Sequence, residues 1–145
     1  MSIKKKIILI PIIVIIGIII INFSFDESIE ENNVVFHITL ADPNLYLNGE
    51  YTEEITIEKG EYFFRFVPNG SSPEILSIAL GGEEFNFSED FQLVGTPHQT
   101  GISEYFTWKY EGQEKIMISE TQKILISINP NGVTLGSVSV DIIEN

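Results

Sequence analysis

From Val34 onward, apolar and polar residues alternate with a period of two, the pattern of strands that bury one face. Val34–Leu40 sets Phe36, Ile38 and Leu40 against His37 and Thr39, and Ile55 and Ile57 begin a second alternation. Tyr62–Val67 aligns Tyr62, Phe64 and Phe66, while Glu74–Leu80 aligns Leu76, Ile78 and Leu80. Phe85/Phe87 and Phe91/Leu93 mark two shorter strands. Ser103–Tyr110 places Phe106, Trp108 and Tyr110 on one side, and Lys115–Ser119 turns Ile116 and Ile118 inward. Ile124, Ile126 and Ile128 form the cleanest alternation, and Gly136–Ile143 adds Val138, Val140 and Ile142.

Turn chemistry separates these runs. Asn48-Gly49 is a strong hairpin signal. Lys59-Gly60, the Pro68–Pro73 loop, Gly81-Gly82, the polar Gly95–Gly101 loop and Glu111-Gly112 supply further breaks. Asn129-Pro130-Asn131-Gly132 has Pro second and Gly fourth, as a type I turn prefers. About nine short strands without an amphipathic helix predict an all-β fold, a β-sandwich of immunoglobulin-like or jelly-roll type spanning residues 34–145. Within it, Asn44–Val67 resembles a PEGA-type surface module over 24 residues, without the Thr-Pro such modules carry. That resemblance implies a β-hairpin pair and nothing about activity.

Before residue 34 the period of two disappears. Ile7–Ile21 is fifteen residues without an ionisable side chain, and Phe23 and Phe25 extend the apolar character to residue 25. A helix over 7–25 rises about 28 Å against a hydrocarbon core of about 30 Å. Lys4, Lys5 and Lys6 can snorkel to the lipid headgroups and, by the positive-inside rule, orient the chain with its N-terminus in the cytoplasm. The expected order is a cytoplasmic basic tip at 1–6, a transmembrane anchor helix at 7–25, an acidic flexible linker at 26–33 and an extracellular domain at 34–145. A cleavable signal peptide is the competing reading. It needs small residues at the −3 and −1 positions, where Asn22 and Ser24 are a poor pair.

Charge sharpens the picture. Beyond Ile21 there are 21 acidic residues against five basic ones, a net charge of −16. Such a domain repels phosphate backbones and anionic lipid surfaces, which argues against nucleic acid as a partner. The absence of Cys removes disulfides, thiolate metal sites and lipoprotein processing. Abundant Ile with seven Lys to one Arg fits an AT-rich prokaryotic genome.

Candidate chemistry is sparse. His37 falls within a strand and His98 in the polar loop; with Met117 they fall short of the converging ligands a copper or zinc site needs. Glu53-Glu54, Glu83-Glu84 and Glu89-Asp90 lack the spacing of a calcium loop, so no metal or cofactor is expected. No nucleophile elbow, phosphate loop or HExxH motif occurs, and the expected protein is not an enzyme. Sequons at Asn69 and Asn86 are candidate glycosylation sites, Asn22 lying at the membrane boundary. Tyr46 and Tyr105 are candidate exposed aromatic contacts, because a phenol tolerates a wet end; the lone Trp108 reads as core. The expected role is a structural or protein-interaction subunit of a cell-envelope assembly, with the bilayer as one partner through 7–25 and a surface protein as another. The alternatives are a carbohydrate- or metal-ion-binding surface module and a subunit or anchor of an archaeal-type surface filament.

Overall fold

The computed structural model describes residues 33–145. The expected basic tip, the anchor helix and all of the linker except Asn33 lie outside the described residues. Among the described residues, no helix is long and apolar enough to cross a membrane.

The described chain is all-β, apart from one 3₁₀ turn at Pro43–Leu45. Nine strands follow in order: β1 Val34–Leu40, β2 Tyr51–Ile57, β3 Gly60–Pro68, β4 Ile75–Gly81, β5 Asn86–Gln99, β6 Glu104–Glu111, β7 Lys115–Ile118, β8 Gln122–Asn129 and β9 Val138–Glu144. All pairings are antiparallel. They form a four-stranded sheet in the order β1-β9-β3-β7 and a five-stranded sheet in the order β2-β8-β4-β5-β6. With β6 set aside, the first strand pairs with the last, the second with the next to last, and so on inward through β3·β7 to β4·β5. The chain is thus one long antiparallel ribbon rolled upon itself, and β6 is an addition to the roll.

The alternating apolar rows meet between the sheets. Phe36, Leu40, Phe64, Val140 and Ile142 bury from one side, and Leu76, Leu80, Phe91, Ile126 and Ile128 from the other. Phe64 reaches across to Phe87 and Phe91, each with a ring-centroid separation of 5.5 Å, and Phe66 lies 4.7 Å from Phe91. Edge-on and tilted contacts of this kind add to the area buried. Since side chains alternate strictly between faces, slipping any strand by one residue would swap its isoleucine row for its polar row.

Four local expectations change. Phe87, Phe91 and Leu93 belong to one 14-residue strand, β5, which also takes in most of the expected polar loop, while Phe85 lies just before it. The loop residues are strand because β6 pairs with them throughout, from Gln92↔Glu111 to Gln99↔Glu104. Pro97 fits because β5 past Leu93 has β6 as its sole strand neighbour among the described residues, and proline is accommodated where a strand has an open side. The turn after β8 sits one residue later than expected. Asn131 and Gly132 have φ of 52° and 89°, and the Val133 N–H donates to the Pro130 carbonyl at 3.1 Å. The left-handed tolerance of Asn-Gly therefore decides the turn, not Pro130. Asn48-Gly49 makes the same kind of turn, with φ of 53° and 88°, but closes only the bridge Leu47↔Glu50. Finally, β2 and β3 lie in different sheets, so the hairpin pair implied for Asn44–Val67 does not form.

Facing assignments give a direct test. Phe91→Ala should cost about 3–5 kcal/mol, the usual range for emptying a fully buried aromatic site. Leu125→Ala, on the outward face of β8, should stay within about 0.5 kcal/mol. Urea midpoints of the full chain, followed by fluorescence of the single tryptophan, check this; equal losses would reverse the inside and outside of the five-stranded sheet.

Candidate functional site

Past Leu93 and before Tyr110, β5 and β6 leave the rolled core as a two-stranded arm. Its base is tied down in two ways. The buried Tyr110 hydroxyl donates to the Pro73 carbonyl at 2.6 Å. Burial pushes that phenol well above its usual pKa, with Tyr46 adding to the effect. Trp108 lies over its cross-strand partner Gly95, where an added Cβ would come within 2.6 Å of the indole, and its other edge approaches Gly70. A glycine opposite an aromatic leaves room for the ring to fold over the backbone. The expected core Trp108 is therefore only partly buried, acting as a strut between the arm and the Pro68–Pro73 loop.

Beyond Trp108 the apolar row continues into solvent. Phe106 stacks on Trp108 at 5.7 Å and is 46% exposed, and Ile102 at the tip is fully exposed. On the opposite face Tyr105 is 52% exposed and stacks on His98 at 4.9 Å, while His98 Nε2 meets Thr107 Oγ1 at 2.9 Å. His98 is thus a strand residue within the arm, not a loop ligand. Between Phe91 and Tyr110 the chain carries one carboxylate, Glu104, and one ammonium, Lys109. That twenty-residue stretch is close to neutral on a domain that is otherwise strongly acidic. A cleft of about 290 Å³ opens beside it, lined by Phe66, Trp108 and Tyr110 together with Arg65, Lys109 and Glu114.

Tyr46 does not share this exposure. Its ring packs against the core and its hydroxyl is buried without a hydrogen-bond partner. Burial raises its pKa. Asn69 is exposed, but its side-chain Oδ1 already accepts from the Ser71 N–H and hydroxyl at 2.8 and 2.6 Å. Asn86 is the exposed first residue of β5. A second hollow, of about 510 Å³, lies between β7 and the start of β5, with Tyr62, Phe85, Phe87, Ile116 and Met117 forming its apolar wall.

Sequence reasoning passed over a polar network on the outer face of the four-stranded sheet. Asp141 in β9 pairs in register with His37 of β1 on one side and Arg65 of β3 on the other. Its carboxylate is buried, accepting from His37 Nδ1 at 2.5 Å and from Arg65 Nε and Nη2 at 2.9 and 2.8 Å. Desolvation alone would raise its pKa; the bonds from His37 and Arg65 outweigh that and hold it below the ordinary carboxylate value. Thr39 and Ser139 continue the ladder, their hydroxyls 2.8 Å apart. The available signal was an acid set inside the last apolar run, Val138-Ser139-Val140-Asp141-Ile142-Ile143. Among the described residues, no three His, Asp or Glu side chains gather as a metal-binding group.

Comparison of the chain with protein-family models, with curated proteins and with solved structures returns no match.

These side chains give three tests. Arg65→Met should cost more than Asp141→Asn, about 3 kcal/mol against about 1. The first strands a buried charge; the second releases the half-exposed Arg65 and His37 side chains to water. Because the folded pKa of Asp141 is lowered, its contribution is complete above the ordinary value of about 3.9 and fades as pH falls through the lower folded value. Acid unfolding should accordingly be shallower in Asp141→Asn, as read by tryptophan fluorescence. Tyr46→Phe removes an orphan hydroxyl and should leave stability unchanged or raise it by up to about 1 kcal/mol; a clear loss would show that the hydroxyl has a partner.

Proposed function

We propose that this chain is a non-catalytic, membrane-anchored interaction subunit of a prokaryotic cell-envelope assembly that docks through the β5–β6 arm. Residues 7–25 span the bilayer with Lys4, Lys5 and Lys6 on the cytoplasmic side, and the acidic domain stands outside. The hydropathy and charge pattern of the N-terminus support this placement. The domain is a jelly-roll sandwich with one added strand, a reading supported by pairing first with last around the roll and by chain crossings that alternate between sheets on either side of the β4–β5–β6 run.

The arm carries the functional reading. The sandwich core takes in Tyr110 alone from β6, yet β5 and β6 extend past that core and present Ile102, Tyr105 and Phe106 to solvent. Exposed aromatic and aliphatic side chains in a nearly uncharged segment match the centre of a protein interface, where charge is depleted. The surrounding carboxylates keep the rest of the surface soluble and unreceptive.

Affinity purification of the full chain from native membranes tests this. Wild type should retain its partner, whether another envelope protein or a second, differently tagged copy. A Phe106→Ser/Ile102→Ser variant should lose it, and Thr56→Ser on the far edge strand β2 should not. The same co-purifying set from all three would sink the arm as the docking surface.

A further inference from the structure

The docking reading above leaves its partner open, and the shape of β6 names one. We infer that two copies of the chain associate by pairing β6 with β6 of the second copy, antiparallel about a two-fold axis at Thr107. The inference rests on the arm being a docking surface and specifies what docks there.

The backbone offers the edge. Among the described residues β6 pairs with β5 alone, so the other side of an eight-residue strand has no ladder partner. Natural edge strands are blunted by bulges, prolines or unpaired lysines. β6 has no proline and no register shift against β5, and its one lysine, Lys109, is bound to Glu111 at 2.7 Å. An extended segment can add to such an edge through main-chain hydrogen bonds.

The side chains favour a second copy as that segment. With Thr107 opposite its own counterpart, Phe106 of each copy faces Trp108 of the other on one side of the merged sheet. On the other side Tyr105 faces Lys109, a cation over a ring. Both contacts occur twice by symmetry, as an isologous interface requires. Phe106, exposed in the single chain, would then sit at the mouth of the partner's cleft beside Phe66, Trp108 and Tyr110, the socket that the exposed side chain lacks in its own copy. Charge selects the same face. Two domains that each carry 17 acidic against five basic residues from Val34 onward, a net charge of −12, repel wherever they meet carboxylate to carboxylate, and β6 brings only Glu104 and the Lys109-bound Glu111 to the contact. Screening the bodies with salt should therefore strengthen association, opposite to the response of an acidic domain bound to a basic partner.

The chain has no cysteine, so a single introduced thiol reports on proximity. In the full chain in its native membrane, Thr107→Cys should form a disulfide-linked dimer under mild oxidation. The yield should exceed that of Thr56→Cys, exposed on β2, by roughly tenfold, as for sulfurs held in bonding geometry rather than meeting by collision. Adding Phe106→Glu should abolish the difference, with an unchanged far-ultraviolet circular dichroism spectrum showing that the domain still folds. In detergent, the wild-type dimer fraction should rise with sodium chloride. Cross-linking of the Thr107→Cys chain to a different protein would overturn self-pairing and leave the docking reading standing. Cross-linking of that variant no greater than that of Thr56→Cys would overturn self-pairing, and loss of the co-purification difference between wild type and Phe106→Ser/Ile102→Ser would overturn the docking reading as well.

Discussion

A buried carboxylate holds the roll in register. Asp141 lies on β9, which closes the four-stranded sheet by running between β1 and β3, and it is satisfied only when His37 and Arg65 reach it from those two strands at once. Hydrophobic rows alone tolerate a slip of two residues, since the inward set stays inward. A stranded charge does not, because leaving a buried carboxylate unpaired is among the costliest errors a fold can contain. The network is weak evidence for stability and stronger evidence for specificity. It selects one alignment of the first, third and last strands.

With the roll closed in this way, the β5–β6 arm stands out as structure the core does not require. Isolated two-stranded ribbons are marginal in water. This one is supported at its base by Trp108 folded over Gly95 and by the Tyr110–Pro73 hydrogen bond, while its outer half keeps apolar side chains in solvent. Rigidity at the base and apolar exposure at the end suit a surface that meets another chain with little reorganisation. The same features explain why charge is withdrawn from this stretch and concentrated elsewhere. Carboxylates over the rest of the domain, Glu53 and Glu54 on β2 among them, leave the arm as the surface we propose for association.

Much of the fold was legible along the chain. The rows of Phe36/Leu40, Leu76/Ile78/Leu80, Ile124/Ile126/Ile128 and Val138/Val140/Ile142 are all core, and β1 begins and ends where its alternation does. Those runs are self-evident because each side chain is chosen by its own exposure, a local property with a period of two. The arm was harder to see. Gly95, Pro97 and His98 carry turn-like chemistry, and only a neighbouring strand makes them extended. Tyr46 and Trp108 went the other way: a phenol expected outside is packed with its hydroxyl covered, and an indole expected inside is only partly buried at an edge.

What the residues determine by themselves is therefore composition of the faces: which positions of Val34–Ile143 turn inward, where Asn-Gly reverses the chain, and how strongly the domain repels anions. Which strands become neighbours, that β5 runs on past the core, and that Asp141 finds His37 and Arg65 on either side were decided only in three dimensions. Pairing partners 104 and 76 residues apart leave no periodic trace in the chain. Their energy depends on two segments meeting, and neither segment alone records it.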